Sequence, residues 1–308
     1  MFSSRYCLYN IIIYIFVVER LFRRGVPLRN YCTYRVGGPA RLFYEPRDEE
    51  ELKKVLQWAH KKGLPVFLLG NGSNLLVSDK GFDGLVLRTA THLTAITFDD
   101  PGAEVACGAY FGGFLEACAG RGLSGLEALY DIPGTLGGAV FMNAGAFDAC
   151  VGDCLAEVVS LDAAGTEHRR PVSELSLGYR DSVYRHNHET ILQARFKFKP
   201  GEPEALQQRL RDVKQRRDEK QPPDRDRSCG SVFKRPSGGY AGTLIEQAGL
   251  KGLRVGGARV SEKHANFIIN DRNATARDIR TLIDTMRTRV HAFSEVLLEP
   301  EVVFLGEF

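Results

Sequence analysis

The sequence predicts an α+β protein of about two domains, and three observations carry that expectation. The chain has 308 residues, which at roughly 150 residues per domain makes two units. Hydrophobic residues are 44% and charged residues 26% of it, enough apolar mass for a sizeable core in an ordinary folded chain. Helix-period stripes and short apolar runs alternate along its length, so helices and strands are mixed. Collagen, coiled coil and multi-pass membrane protein are excluded. The 41 basic and 38 acidic residues leave +3, which points to no nucleic acid and no anionic membrane surface as partner.

At the N-terminus, residues 6–18 are apolar apart from Asn10. That run is shorter than the roughly 20 residues of a membrane helix, and no small-residue cleavage site follows it. Residues 1–18 are therefore read as an apolar extension, with no stable membrane insertion and a cytoplasmic location. Asp48 caps a helix over 48–63, with Glu51 three residues later, Leu52, Val55, Leu56 and Ala59 on one face, and Gly63 as the stop. Short apolar runs predict strands over 65–69, 84–88 and 104–108, and residues 113–121 a helix. Residues 158–170 read as a hairpin around Ala164 and Gly165, and 190–198 as a strand. A polar, highly charged stretch over 200–227 contains a helix at 204–220 that ends before Pro222 and Pro223, marking a boundary or a connecting helix. Beyond it, Ile279, Leu282, Ile283, Met286 and Val290 stripe a helix over 275–291, and a last strand spans 296–305. Seven cysteines without a CxxC fit a reducing compartment, and neither they nor His186 and His188 complete a metal set.

Glycine is enriched, with 32 residues, and it clusters. The loop Gly70, Asn71, Gly72, Ser73, Asn74, Leu75 opens like a dinucleotide fingerprint, but Leu75 stands in place of a third glycine and no crossover helix follows. Its close amides, with Ser73 and Asn74 as side-chain donors, suit either an anion nest or an ordinary tight connection. A second run, 125–146, holds PGTLGG followed by MNAGA. So little side chain means that backbone approaches something closely, and a flat ligand accounts for this combination better than a turn does.

Together with residues 33–40 (TYRVGGPA), 178–182 (GYRDS), 230–234 (GSVFK), 244–246 (LIE), 249–252 (GLKG), 261–267 (SEKHANF) and 298–302 (LEPEV), these loops resemble the UDP-N-acetylenolpyruvoylglucosamine reductases from about residue 26 onward. The chain is similar to their shorter second type, which lacks a tyrosine-bearing lid loop. The resemblance implies a vanillyl-alcohol-oxidase-type (PCMH-type) FAD-binding fold in two subdomains, 19–88 and 89–200, plus a C-terminal α+β substrate domain, 201–308, whose last strand can return to the first subdomain. It implies non-covalent FAD, NADPH as reductant, a UDP-sugar as substrate, and reduction of an enolpyruvyl ether to a lactyl ether in peptidoglycan precursor synthesis.

Carried over residue by residue, the resemblance makes Arg180 the cation for the substrate carboxylate, Ser231 the proton donor and Glu301 a supporting acid. Taken alone, each has a plainer reading: a polar-loop arginine, a turn serine, an edge-strand carboxylate. Flavin contacts are expected from Gly70 to Leu75 and from Ile132, Pro133, Gly134, Thr135, Gly137, Gly138, Asn143, Ala144, Gly145 and Ala146. Tyr179, Lys234, Lys251 and Lys263 are candidates for the nucleotide, although any of the lysines could be merely solvated. Arg235 stands where the family usually has asparagine, and Val303 where an arginine is common. The competing readings are an oxygen-using flavoprotein oxidase of the same fold, against which the lack of histidine in either glycine loop counts, and a flavin-binding protein without catalysis.

Overall fold

The computed structural model describes residues 21–308, so the apolar extension expected at 1–18 lies outside the described residues. Strands Arg23–Pro27, Pro39–Tyr44, Phe82–Arg88 and Val66–Leu69 form a first sheet in that order. Pro39–Tyr44 and Val66–Leu69 both run parallel to Phe82–Arg88. The helix Glu49–Lys61 makes the crossover that such pairing requires. Asp48 starts that helix as expected, its carboxylate accepting the Glu51 amide at 2.7 Å. Leu52, Val55, Leu56 and Ala59 are buried on its inner face.

The second sheet has five antiparallel strands in the order Glu167–Pro171, Leu155–Leu161, Thr190–Lys197, Gly102–Ala106, Ile96–Phe98. The predicted hairpin closes with Leu161 opposite Glu167. Phe114, on the helix Phe111–Gly120, packs against Phe196 with ring centroids 5.2 Å apart. One continuous core contains Leu52 and Val55 of the crossover helix together with Val105, Val158 and Phe196 of the second sheet, so the two sheets share an interior.

The charged stretch becomes the helix Pro203–Lys220, with proline in its first turn, where a missing N–H costs nothing. After it come a three-stranded sheet, Arg254–Val255, Ala258–Val260 and Ile268–Asn270, and the long helix Ala276–Ser294. Thr275 and Asp278 form a reciprocal capping box at the start of that helix. Its buried stripe packs in a second core that also takes Tyr34, Val36 and Leu76 from the N-terminal half. The strand Val303–Leu305 then pairs in parallel with Leu75–Val77.

Two elements differ from expectation. The strand expected over 296–305 is confined to Val303–Leu305. Upstream of it Glu295 takes a left-handed φ of 59° and Pro300 has no amide to donate. Conversely, the glycine-rich run contains a short helix, Leu136–Phe141, which the sequence pattern did not suggest. Among the described residues no helix is long and apolar enough to cross a membrane. The described cysteines are all free thiols.

Candidate active site

The two glycine loops lie against one another, and the absence of side chains is what allows it. A Cβ on Gly70 would stand 2.4 Å from Thr135 Oγ1, and one on Gly137 3.0 Å from the Cβ of Cys107. Thr135 is the N-cap of the short helix, its hydroxyl accepting from the Gly138 amide. Ser73 Oγ donates to the Pro133 carbonyl at 2.8 Å. Asn74 Nδ2 donates to the Glu301 carbonyl at 3.1 Å. The two side chains expected as donors to an anion therefore tie the first loop to the second and to the C-terminal segment. This leaves the anion-binding part of the expectation to the backbone amides. Asn143, expected to line the flavin, spends its side chain on the 2.9 Å bond to the Gly178 carbonyl and the 3.1 Å bond from the Gly152 amide. It thereby fixes the turn that carries Ala144, Gly145 and Ala146.

Gly178 and Asp181 close a tight turn by reciprocal backbone hydrogen bonds, with Arg180 at a left-handed φ of 57°. The turn is anchored by Ser182 Oγ, which donates to the Phe141 carbonyl at 2.7 Å. From it Arg180 Nε reaches Glu301 Oε1 at 2.6 Å and Nη2 reaches the Gly145 carbonyl at 2.8 Å. Both side chains of the ion pair are largely withdrawn from water, at 20% and 15% exposure. Burial pushes the Glu301 carboxyl above its ordinary value, and the fields of Arg180 and Lys234 only partly oppose that. Glu299, the other candidate carboxylate, is 68% exposed and pairs with Lys234 instead.

Glu301 donates its amide to the Val232 carbonyl at 2.8 Å, and Phe233 bridges Pro300, so Ser231 lies on the segment laid alongside the glutamate. The structure thus joins Arg180, Glu301 and the Ser231 segment through hydrogen bonds from three distant parts of the chain. The candidate lysines are more scattered. Lys234 borders the ion pair, Lys251 pairs with Glu246 at 2.6 Å, and Lys263 donates to the Asp218 carbonyl at 2.8 Å. Val303 donates its amide to the Asn74 carbonyl at 3.0 Å and packs in the apolar cluster behind the first sheet. Among the described residues no three His, Cys, Asp or Glu side chains converge as metal ligands. His186 sits 2.9 Å from Asp181.

Sequence reasoning missed Arg217. It is only 8% exposed, and its Nε and Nη2 are buried without a hydrogen-bond partner. Its guanidinium lies 5.7 Å from the Phe147 ring centroid, within the electrostatic reach of Asp131 and Arg180. Burial, reinforced by Arg225 and Arg180, lowers its affinity for the proton. A buried guanidinium with free donors is costly unless an acceptor arrives. The signal was present in the helix period: Leu206, Leu210 and Val213 are the buried positions, and Arg217 is the next one on the same stripe. This orphaned donor pair next to Phe147, and the glycine loops whose backbones approach closely, fit an acceptor-rich dinucleotide such as FAD.

Comparison with known proteins agrees. A family model described as the C-terminal domain of UDP-N-acetylenolpyruvoylglucosamine reductase matches residues 221–305. An FAD-binding domain model matches residues 40–170. The UDP-N-acetylenolpyruvoylglucosamine reductase of Synechococcus sp. (strain JA-3-3Ab) is 44% identical over 286 residues, covering 92% of this chain and 91% of that one. The reductase of the same name from Moorella thermoacetica is 43% identical, with 91% and 92% covered. The crystal structure of UDP-N-acetylenolpyruvylglucosamine reductase from Thermus caldophilus matches with a TM-score of 0.80 at 37% identity, covering 92% of this chain and all of that one.

Proposed function

The chain belongs to the UDP-N-acetylenolpyruvoylglucosamine reductase family, and from that membership we propose that it reduces the carboxyvinyl ether of UDP-N-acetylglucosamine to the lactyl ether of UDP-N-acetylmuramate, a step of peptidoglycan precursor synthesis. FAD is the cofactor and NADPH the reductant, both drawn with the nucleotide sugar from the cytoplasm. The reading assigns residues 19–200 to the cofactor and 201–308 to the substrate. It rests most on one observation, the buried 2.6 Å pair of Arg180 and Glu301 at the meeting point of both glycine loops and the Ser231 segment.

FAD, when bound, supplies hydride transfer from a nicotinamide to the vinyl carbon. The backbone of the loops at 70–75 and 132–138 and the Arg217 guanidinium would hold it, with the turn at 143–146 alongside. Hydride addition places negative charge on the adjacent carbon and the carboxylate conjugated with it, and Arg180 is placed to stabilise that charge. Its Nε is held by Glu301 and its Nη2 by the Gly145 carbonyl, so the planar fork is oriented before substrate arrives. Being shielded from water, it acts on the developing charge more strongly than a solvated cation would. Ser231 gives its hydroxyl proton to the carbanion carbon, and the alkoxide left behind takes up one proton from solvent, the proton consumed with each NADPH. The Glu301 carboxyl, whose proton affinity burial raises against the pull of Arg180, sets the charge of the same pocket. Together these residues account for net addition of a hydride and a proton across the vinyl bond.

The test is substrate-dependent turnover. The FAD-loaded chain should oxidise NADPH only with the carboxyvinyl UDP-sugar present, yielding a product heavier by two hydrogens. NADPH oxidation indifferent to the UDP-sugar would contradict the proposal.

A further inference from the structure

From the buried Arg180–Glu301 pair a chain of cations and rings runs outward to the surface. The Arg180 guanidinium carbon lies 5.0 Å from the Tyr179 ring centroid. The Tyr179 hydroxyl accepts the Arg235 amide at 3.0 Å. The Arg235 guanidinium carbon lies 4.0 Å from the Tyr240 ring centroid. Tyr240 ends the row 62% exposed, at the N-terminus of the helix Ala241–Gln247.

Most of the Tyr240 side chain stays open to solvent, yet a guanidinium lies against its ring. Position along the row matches the parts of the proposed substrate. Its carboxylate belongs at Arg180, its diphosphate along the cations Lys234 and Arg235, and its base at the far end from the reacting carbons. We propose that Tyr240, held in place by Arg235, is the stacking platform for the pyrimidine base and sets the preference for the nucleoside part of the substrate. This rests on the UDP-sugar reading of the cleft. It gives a purpose to Arg235: the guanidinium orients the platform and faces the phosphates, which an asparagine in its place is too short to do in this geometry.

Calorimetric titration of the FAD-loaded full chain with UDP and with inorganic pyrophosphate tests the platform. Base–aromatic stacking predicts that Tyr240→Ala weakens UDP by about tenfold or more. Pyrophosphate, which has no base, should bind the variant as it binds the wild type, and Tyr240→Phe should restore UDP affinity. Retained flavin absorbance and an unchanged circular dichroism spectrum certify the fold of each variant. If Tyr240→Ala binds UDP as the wild type does, or loses pyrophosphate in the same proportion, the platform is refuted while the UDP-sugar reading stands. A wild type that binds no UDP overturns both.

Discussion

Arg180, Glu301 and the segment of Ser231 come together from separate parts of the chain, and the roles proposed for them predict separable defects. Ser231→Ala should leave flavin reduction by NADPH unchanged while slowing reoxidation by the UDP-sugar by about a hundredfold or more, the scale of lost general acid catalysis. Stopped-flow measurement of the two half-reactions checks it, and normal reoxidation would remove Ser231 from the proton path. Arg217 makes a different prediction. Its Nε and Nη2 are buried without a hydrogen-bond partner, which should cost the cofactor-free protein stability, so Arg217→Met should raise the Tm of the apoprotein and weaken FAD binding. An apoprotein Tm that falls would show that Arg217 is satisfied without a ligand. The positions proposed as catalytic are suggested in the sequence only by motif resemblance, since a serine, an arginine and a glutamate have no pattern of their own. Arg217 was hidden because a charged residue on a polar helix looks solvated until the neighbours on its stripe are seen to be buried. The side chains of Ser73, Asn74 and Asn143, expected as flavin contacts, are spent on the carbonyls of Pro133, Glu301 and Gly178.

Elements with a strong period were readable. The helices Glu49–Lys61 and Ala276–Ser294 follow from their apolar stripes and caps. Replacing Thr275 with alanine should therefore cost about 1 kcal/mol, measured by denaturant unfolding, because the Asp278 amide loses its acceptor. The short helix Leu136–Phe141 was not readable, because two glycines in six residues argue against helix, and tertiary packing against Cys107 overrides that propensity. Beneath the helix Ala241–Gln247 lies His264, whose imidazole is held by burial, with help from nearby Lys251, below its ordinary value of 6.5. The unfolded chain then binds this proton more readily than the folded one, so stability is complete above pH 6.5 and falls as the pH drops below it. His264→Gln should flatten that decline in thermal melts, and a slope as steep as that of the wild type would assign the loss to other groups.

On the scale of the whole molecule, the chain closes on itself: Val303–Leu305 joins Leu75–Val77, just after the first glycine loop and just beyond Glu301. No local pattern announces a parallel pairing across more than two hundred residues, whereas the α+β class follows from composition and alternation. Deleting residues 303–308 should therefore weaken FAD retention as well as stability, read from flavin released on gel filtration. A truncated protein that keeps its flavin would uncouple the closure from the site. The proposed reaction moves a hydride equivalent from NADPH, with a proton, to the vinyl bond of a UDP-sugar. The most direct measurement is the visible spectrum of the FAD-loaded chain without oxygen, recorded as NADPH and then the carboxyvinyl UDP-sugar are added. Flavin absorbance should bleach with NADPH and return in full with one equivalent of the sugar. Absorbance that bleaches and stays bleached would contradict the substrate, and a chain that takes up no FAD would contradict flavin chemistry at this site altogether.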